Sequence, residues 1–195
     1  MPTSLQGSAK KAAHNKSYRF RNLFGMLTVA SVLSGWSLLH KRAASGVDRI
    51  SVREYGQRLH DHVTCLVERV KNQCDRAKLV RRHSIPKGNG ALRPLGIPAT
   101  EDTLLQMAGA RILEAIYAPD FLPSRYGYRK KSGARDAVRD LTRHLQFGPY
   151  GSVVEADITG YCDHRDHERL IEMLRWRIDD RPFLGLIQKW LKAGV

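Results

Sequence analysis

Residues 85–98 read Ile85-Pro86-Lys87-Gly88-Asn89-Gly90-Ala91-Leu92-Arg93-Pro94-Leu95-Gly96-Ile97-Pro98. Two short apolar runs flank Gly88-Asn89-Gly90, residue types that supply the positive φ angles of tight turns. The spacing predicts a β-hairpin with strands over residues 79–86 and 91–97, and with Lys87 and Arg93 on opposite arms. Two such cations suit a polyphosphate or a nucleic-acid backbone, since arginine binds phosphate bidentately and lysine acts as a point charge. From the spacing alone, a solvated basic hairpin is the competing reading.

Outward from the hairpin, the pattern is mostly helical. Ser51 stands three residues before Glu54, the spacing of a capping box. Tyr55, Leu59, Val63, Leu66, Val67 and Val70 then keep helical spacing to about residue 71. Thr100 precedes Glu101 and Asp102 as an N-cap, and Leu105, Ala108, Ile112 and Ile116 form a stripe behind it. A further helix is expected from Gly133, with Ala134, Ala137, Leu141 and Leu145 facing inward. Residues 152–157 read as a buried strand. Helical spacing resumes with Leu170, Met173, Leu174 and Ile178, and Asp180 caps a last helix lined by Phe183, Ile187, Trp190 and Leu191. Gly46 is expected to end a helix over residues 38–44. Residues 1–17 lack periodicity and are expected to form a disordered basic tail.

The 195 residues carry a formal net charge of +14, which favours an anionic partner such as nucleic acid. Charged residues are only 27% of the chain, too few for a disordered polycation. The three cysteines, Cys65, Cys74 and Cys162, show neither metal-binding nor redox spacing, which suits a reducing cytosol. Residues 22–39 hold no charge, yet two glycines, an asparagine, a threonine and three serines weaken a membrane-span reading. Two short helices joined by a turn are expected there instead.

Several segments, in one order, resemble the group II intron reverse transcriptases, the intron-encoded maturases. The Ile-Pro-Lys arm, the glycine turn and Arg-Pro-Leu-Gly-Ile-Pro are similar to that family's fingers hairpin. Ala-Ala-Ser-Gly-Val-Asp at residues 43–48 resembles its amino-terminal block. Residues 101–121 and Tyr-Gly-Tyr-Arg at 126–129 follow in the family's order, as do residues 153–167, which resemble its first catalytic palm motif, and 179–195 after them. The resemblance covers residues 18–195.

The resemblance implies a helix-rich α+β chain: an amino-terminal extension and reverse-transcriptase fingers with a β-hairpin over residues 18–150, and an incomplete palm over 151–195. It implies RNA-directed DNA polymerase activity, a nucleotidyl transfer using two Mg2+ ions held by carboxylates. Asp157 would be the first metal-binding carboxylate and the backbone carbonyl of Ile158 a second contact. Lys87 and Arg93 would grip the incoming dNTP. Partners would be intron RNA, an RNA template and a DNA primer, with no membrane.

Four departures accompany the resemblance. The family pattern Asp-Ile-x-x-Phe-Phe-Asp-Asn-Ile-Asp-His becomes Asp157-Ile158-Thr159-Gly160-Tyr161-Cys162-Asp163-His164-Arg165-Asp166-His167. Cys162 stands where an aromatic ring blocks a ribose 2′-hydroxyl, and a smaller side chain there implies weaker exclusion of ribonucleotides. Arg165 replaces an apolar residue, and Lys130 a usual proline. Most telling, the second polymerase motif, Tyr-Ala-Asp-Asp, does not occur in these residues, and Asp179-Asp180 matches a helix-cap position. The expectation is a truncated polymerase, inactive alone. A non-catalytic intron-RNA-binding module is the alternative, and a zinc cluster at residues 163–167 lacks a second set of ligands.

Overall fold

The computed structural model describes residues 4–86, 88, 90, 92–130, 132–161 and 164–194. Eight α-helices and one two-stranded antiparallel sheet are found among them, in an α+β arrangement. Helix α1 spans Leu5–His14, α2 Val29–Leu33, α3 Val52–Gln57 and α4 Leu59–Lys71. Strands β1 (Arg81–Pro86) and β2 (Leu92–Ile97) follow, then α5 (Thr100–Tyr117), α6 (Ala134–Phe147), α7 (His167–Arg175) and α8 (Arg181–Lys192).

One hydrophobic core joins both ends of the chain. Helix α5 contributes Leu104, Leu105, Ala108, Ile112 and Ile116; α4 contributes Val63, Leu66, Val67 and Val70; α8 contributes Phe183, Leu184, Leu186 and Ile187. These are the residues that recur every three or four positions, so each helix presents a continuous apolar stripe. Gly109 lets α5 approach α8 closely, since a Cβ there would lie 3.0 Å from the Trp190 ring.

The segment after α1 is stitched to the start of α8. The Phe20 N–H donates to the Arg177 carbonyl and the Asp179 N–H to the Phe20 carbonyl, each at 2.7 Å. Asp180 accepts the Phe183 N–H through Oδ1 and the Phe24 N–H through Oδ2, both at 3.0 Å. One carboxylate thus caps α8 and fixes a distant loop. Arg21 and Arg19 pair with Asp179, and the Arg21 hydrogen bond holds that carboxyl below the usual carboxylate range. The acidic pair therefore has a structural role, as expected for a helix-cap position.

Several expectations are overturned. Residues 5–14 are not a disordered tail: α1 is capped by Ser4 and packs its fully buried Ala12 into the core. Its apolar positions are small or sparse, so the sequence shows no strong stripe. The stretch at 38–44 is not a helix beyond the single turn Trp36–Leu38, and Gly46 caps nothing. Gly46 is instead pressed against the backbone of Ala99, 2.6 Å from any Cβ it could carry. Thr100 is the first residue of α5, not its cap, and its hydroxyl donates to the Ile50 carbonyl at 3.3 Å.

The helix expected over 51–71 breaks at Arg58 into α3 and α4, although Ser51 and Glu54 do form the capping box. Residues 22–39 fold as α2 flanked by single turns at Phe24–Met26 and Trp36–Leu38. Among the described residues no helix is long and apolar enough to cross a membrane.

Candidate nucleotide site

The expected hairpin forms, with β1 and β2 paired antiparallel. Ile85 faces Arg93 and Pro86 faces Leu92, and Gly90 adopts φ +79° in the turn between them. Every residue of β1 is exposed, as is β2 up to Gly96. Arg93 therefore meets solvent, and has no ion-pair partner among the described residues. Lys87, the cation expected on the other arm, lies outside the described residues.

A two-stranded hairpin without a covered face is marginal on its own. Here its root is held by an ionic network. Lys78, just before β1, pairs with Asp48 at 2.9 Å and approaches Glu101 at 3.8 Å. Its backbone N–H donates to Asp102 at 3.1 Å, and Asp102 sits in the first turn of α5, just after β2. Arg69 of α4 completes the cluster, 2.7 Å from Glu101 and 3.9 Å from Asp75. Both ends of the hairpin are thus tied to one set of charges. Burial pushes the Asp102 carboxyl up to about 6 and raises Asp75 as well.

This clamp gives physical meaning to the segment at residues 43–48. Gly46 makes room for the Ala99 backbone at the end of the hairpin, and Asp48 supplies the Lys78 counter-ion. Sequence reasoning missed the clamp. Its six charges come from four separate segments, and no local spacing relates them.

The acidic side of the expected site is different. Residues 151–158 are irregular and exposed, with Val153, Val154 and Ile158 open to solvent. The expected buried strand ending at Asp157 is not present. A strand needs neighbours for its N–H and C=O groups, and the sheet among the described residues contains only β1 and β2. Asp157 is exposed, and the Ile158 carbonyl accepts the Tyr161 N–H at 3.3 Å in a turn. Gly160 adopts φ +64° in that turn, and its carbonyl accepts the His164 N–H at 3.0 Å. Cys162 lies outside the described residues. Arg165 lays its guanidinium 5.0 Å from the centre of the Tyr161 ring, a cation–π contact where an apolar residue was expected. Asp166 caps α7 through Oδ1.

The donor set around Asp157 does not by itself fit two Mg2+ ions. Such ions need several oxygen ligands each, usually carboxylates. One carboxylate and a carbonyl already engaged in a turn fall short. Among the described residues no group of three or more His, Cys, Asp or Glu side chains is placed to hold a metal ion.

The chain is similar to proteins encoded inside introns. The group II intron-encoded protein LtrA of Lactococcus lactis subsp. cremoris is 41% identical over 116 residues, which are 59% of this chain and 19% of LtrA. The chain is a homologue of group II intron-encoded proteins. This homologue also shares 30% identity over 115 residues with the putative COX1/OXI3 intron 2 protein of Saccharomyces cerevisiae, 59% of this chain and 13% of that protein. Protein YkfC of Escherichia coli (strain K12) is 33% identical over 192 residues, 94% of this chain and 50% of YkfC. The chain thus spans between about a fifth and a half of the length of LtrA and YkfC. No protein-family model matches it.

Proposed function

We propose that this chain serves RNA-directed DNA synthesis of the group II intron type, as the part that grips the nucleotide and the intron RNA. Residues 18–150 act as an amino-terminal extension and fingers, and residues 151–195 open a palm. The exposed hairpin with Arg93, held at its root by the Lys78 clamp, carries the reading. Arg93 binds the triphosphate as a two-pronged donor, with Lys87 as its companion point charge. The clamp fixes the approach angle of both arms, so phosphate binding costs little ordering of the backbone.

Asp157 contributes one ligand of a divalent-ion site, which needs further carboxylates to be complete. The net charge of +14 supplies the attraction for intron RNA, template and primer. The fitting test is titration of a fluorescent dNTP into the chain in Mg2+ buffer. Arg93→Ala is expected to weaken binding about tenfold, the loss of one bidentate phosphate contact. Equal affinity for both proteins would refute the hairpin as a nucleotide clamp.

A second reading is favoured by the open segment at 151–158. In it the same basic surface binds intron RNA and no synthesis occurs. Incubation with a primed RNA template, Mg2+ and dNTPs separates the two. Extension that disappears on Asp157→Ala supports the polymerase; salt-dependent RNA binding without extension supports the module.

A further inference from the structure

A cleft of about 730 Å3 lies between α5 and loop residues 121–130, and no residue of the hairpin lines it. Its floor is apolar, formed by Leu113, Tyr117 and Leu174. Its mouth holds Tyr128, Arg125 and Arg129. Flat apolar walls with cations at the edge are the chemistry of a nucleobase seat with its flanking phosphates.

Tyr128 is the most unusual residue here. Its ring is fully exposed, and its backbone sits at φ +53°, a left-handed conformation that non-glycine residues rarely adopt. Packing does not explain an aromatic ring held in water at a strained position. The loop around it is nevertheless well anchored. The Tyr126 hydroxyl donates to Asp140 of α6, and Arg129 donates to the Leu122 carbonyl at 3.0 Å. Arg125 stacks 3.7 Å from the Phe121 ring centre, leaving its guanidinium edge at the cleft. Lys130, which stands where a proline was expected, pairs with Glu114 at 2.6 Å and neutralises the acid on this rim.

We propose that this cleft seats an unpaired nucleobase of a single-stranded nucleic acid, stacked on Tyr128, with neighbouring phosphates on Arg125 and Arg129. The inference rests on the nucleic-acid-binding reading above and adds a place and a strandedness to it. A duplex keeps its bases paired and stacked, so it presents no free base to the floor. A purely apolar protein segment would leave both arginines without counter-charge. Stacking on an aromatic ring is tolerant of base identity, so the site should show little sequence preference.

The test compares one labelled 12-nucleotide sequence as single-stranded RNA, as single-stranded DNA and as an RNA duplex, by fluorescence anisotropy at fixed salt with the full chain. Tyr128→Ala should weaken single-strand binding about tenfold and leave duplex binding within about twofold, while Tyr128→Trp restores it. Tyr150→Ala, an exposed tyrosine outside the cleft, should change neither. A 2-aminopurine placed in the strand should be quenched by the wild type and not by Tyr128→Ala. A difference between the RNA and DNA arms identifies the sugar preferred at the seat. Unchanged single-strand binding by Tyr128→Ala, or equal loss for strand and duplex, overturns the seat while leaving the hairpin clamp standing. Binding to none of the three overturns the seat and the nucleic-acid reading together. Circular dichroism of each variant confirms that a loss is not unfolding, and Tyr128→Phe, which keeps the ring, must bind as the wild type does.

Discussion

The root of the hairpin and the stretch from α6 to Tyr161 differ in how they are held. At the root, charges from four segments converge on Lys78 and Arg69, and two chain ends are pinned within one turn of α5. From α6 onward the reverse holds. Leu141, Leu145 and Phe147 are exposed although they recur at helical spacing, and Val154 is 90% exposed. Both regions carry clear sequence signals, and only one of them finds a partner. An amphipathic pattern states what a segment can bury; burial itself depends on what is brought alongside.

The contrast can be broken or sharpened by measurement. Phe20→Ala, in the fully buried seam between the amino-terminal segment and α8, should cost about 3–5 kcal/mol in urea unfolding, or prevent folding outright. A loss below about 1 kcal/mol would mean that the two ends do not share a core.

The clamp predicts a pH dependence. The Asp102 carboxyl is raised by burial from 3.8 to about 6, so the folded state binds more protons than the unfolded chain between those values. Its contribution is fully present at low pH and is lost as pH rises through about 6. Asp102→Asn should therefore be more stable than the wild type at pH 7, by up to about 3 kcal/mol for a two-unit shift, and its stability should vary less with pH across that window. Asp75 shifts in the same direction and leaves a residual slope. Parallel profiles for the two proteins would show that Asp102 is not buried as described.

Arg69→Ala should cost about 2 kcal/mol, because Asp75 loses its ion-pair partner and Glu101 its nearer one at a largely buried position, leaving Glu101 only Lys78 at 3.8 Å. The arginine is itself 38% exposed, which keeps the effect below that of a fully buried pair. Smallest of all, Leu145→Ser should change stability by less than about 0.5 kcal/mol and reduce self-association seen by light scattering. A loss of 2 kcal/mol or so, typical of a core leucine, would mean that α6 is covered in solution.

Most elements were legible because their signals are local. The Ser51–Glu54 box, the Asp180 cap, the glycine turn and the stripe of α5 each involve residues a few positions apart, and each is found where its spacing puts it. The candidate site was half legible. Arg93 stands exposed on its strand, but no spacing could announce that Asp48, Lys78 and Asp102 would hold that strand in place.

The sequence by itself determined the helix-rich character, the hairpin, the Ser51 and Asp180 caps and the inner faces of α4, α5 and α8. Short-range hydrogen bonds and hydrophobic periodicity suffice for these, since they depend on neighbours along the chain. Only the tertiary structure decided that the amino-terminal segment folds as a helix against α5, that Gly46 serves the backbone of Ala99, and that α6 and residues 151–158 stay uncovered. Those outcomes turn on surfaces contributed by distant residues, and burial, desolvation and ion pairing act through space without regard to sequence separation.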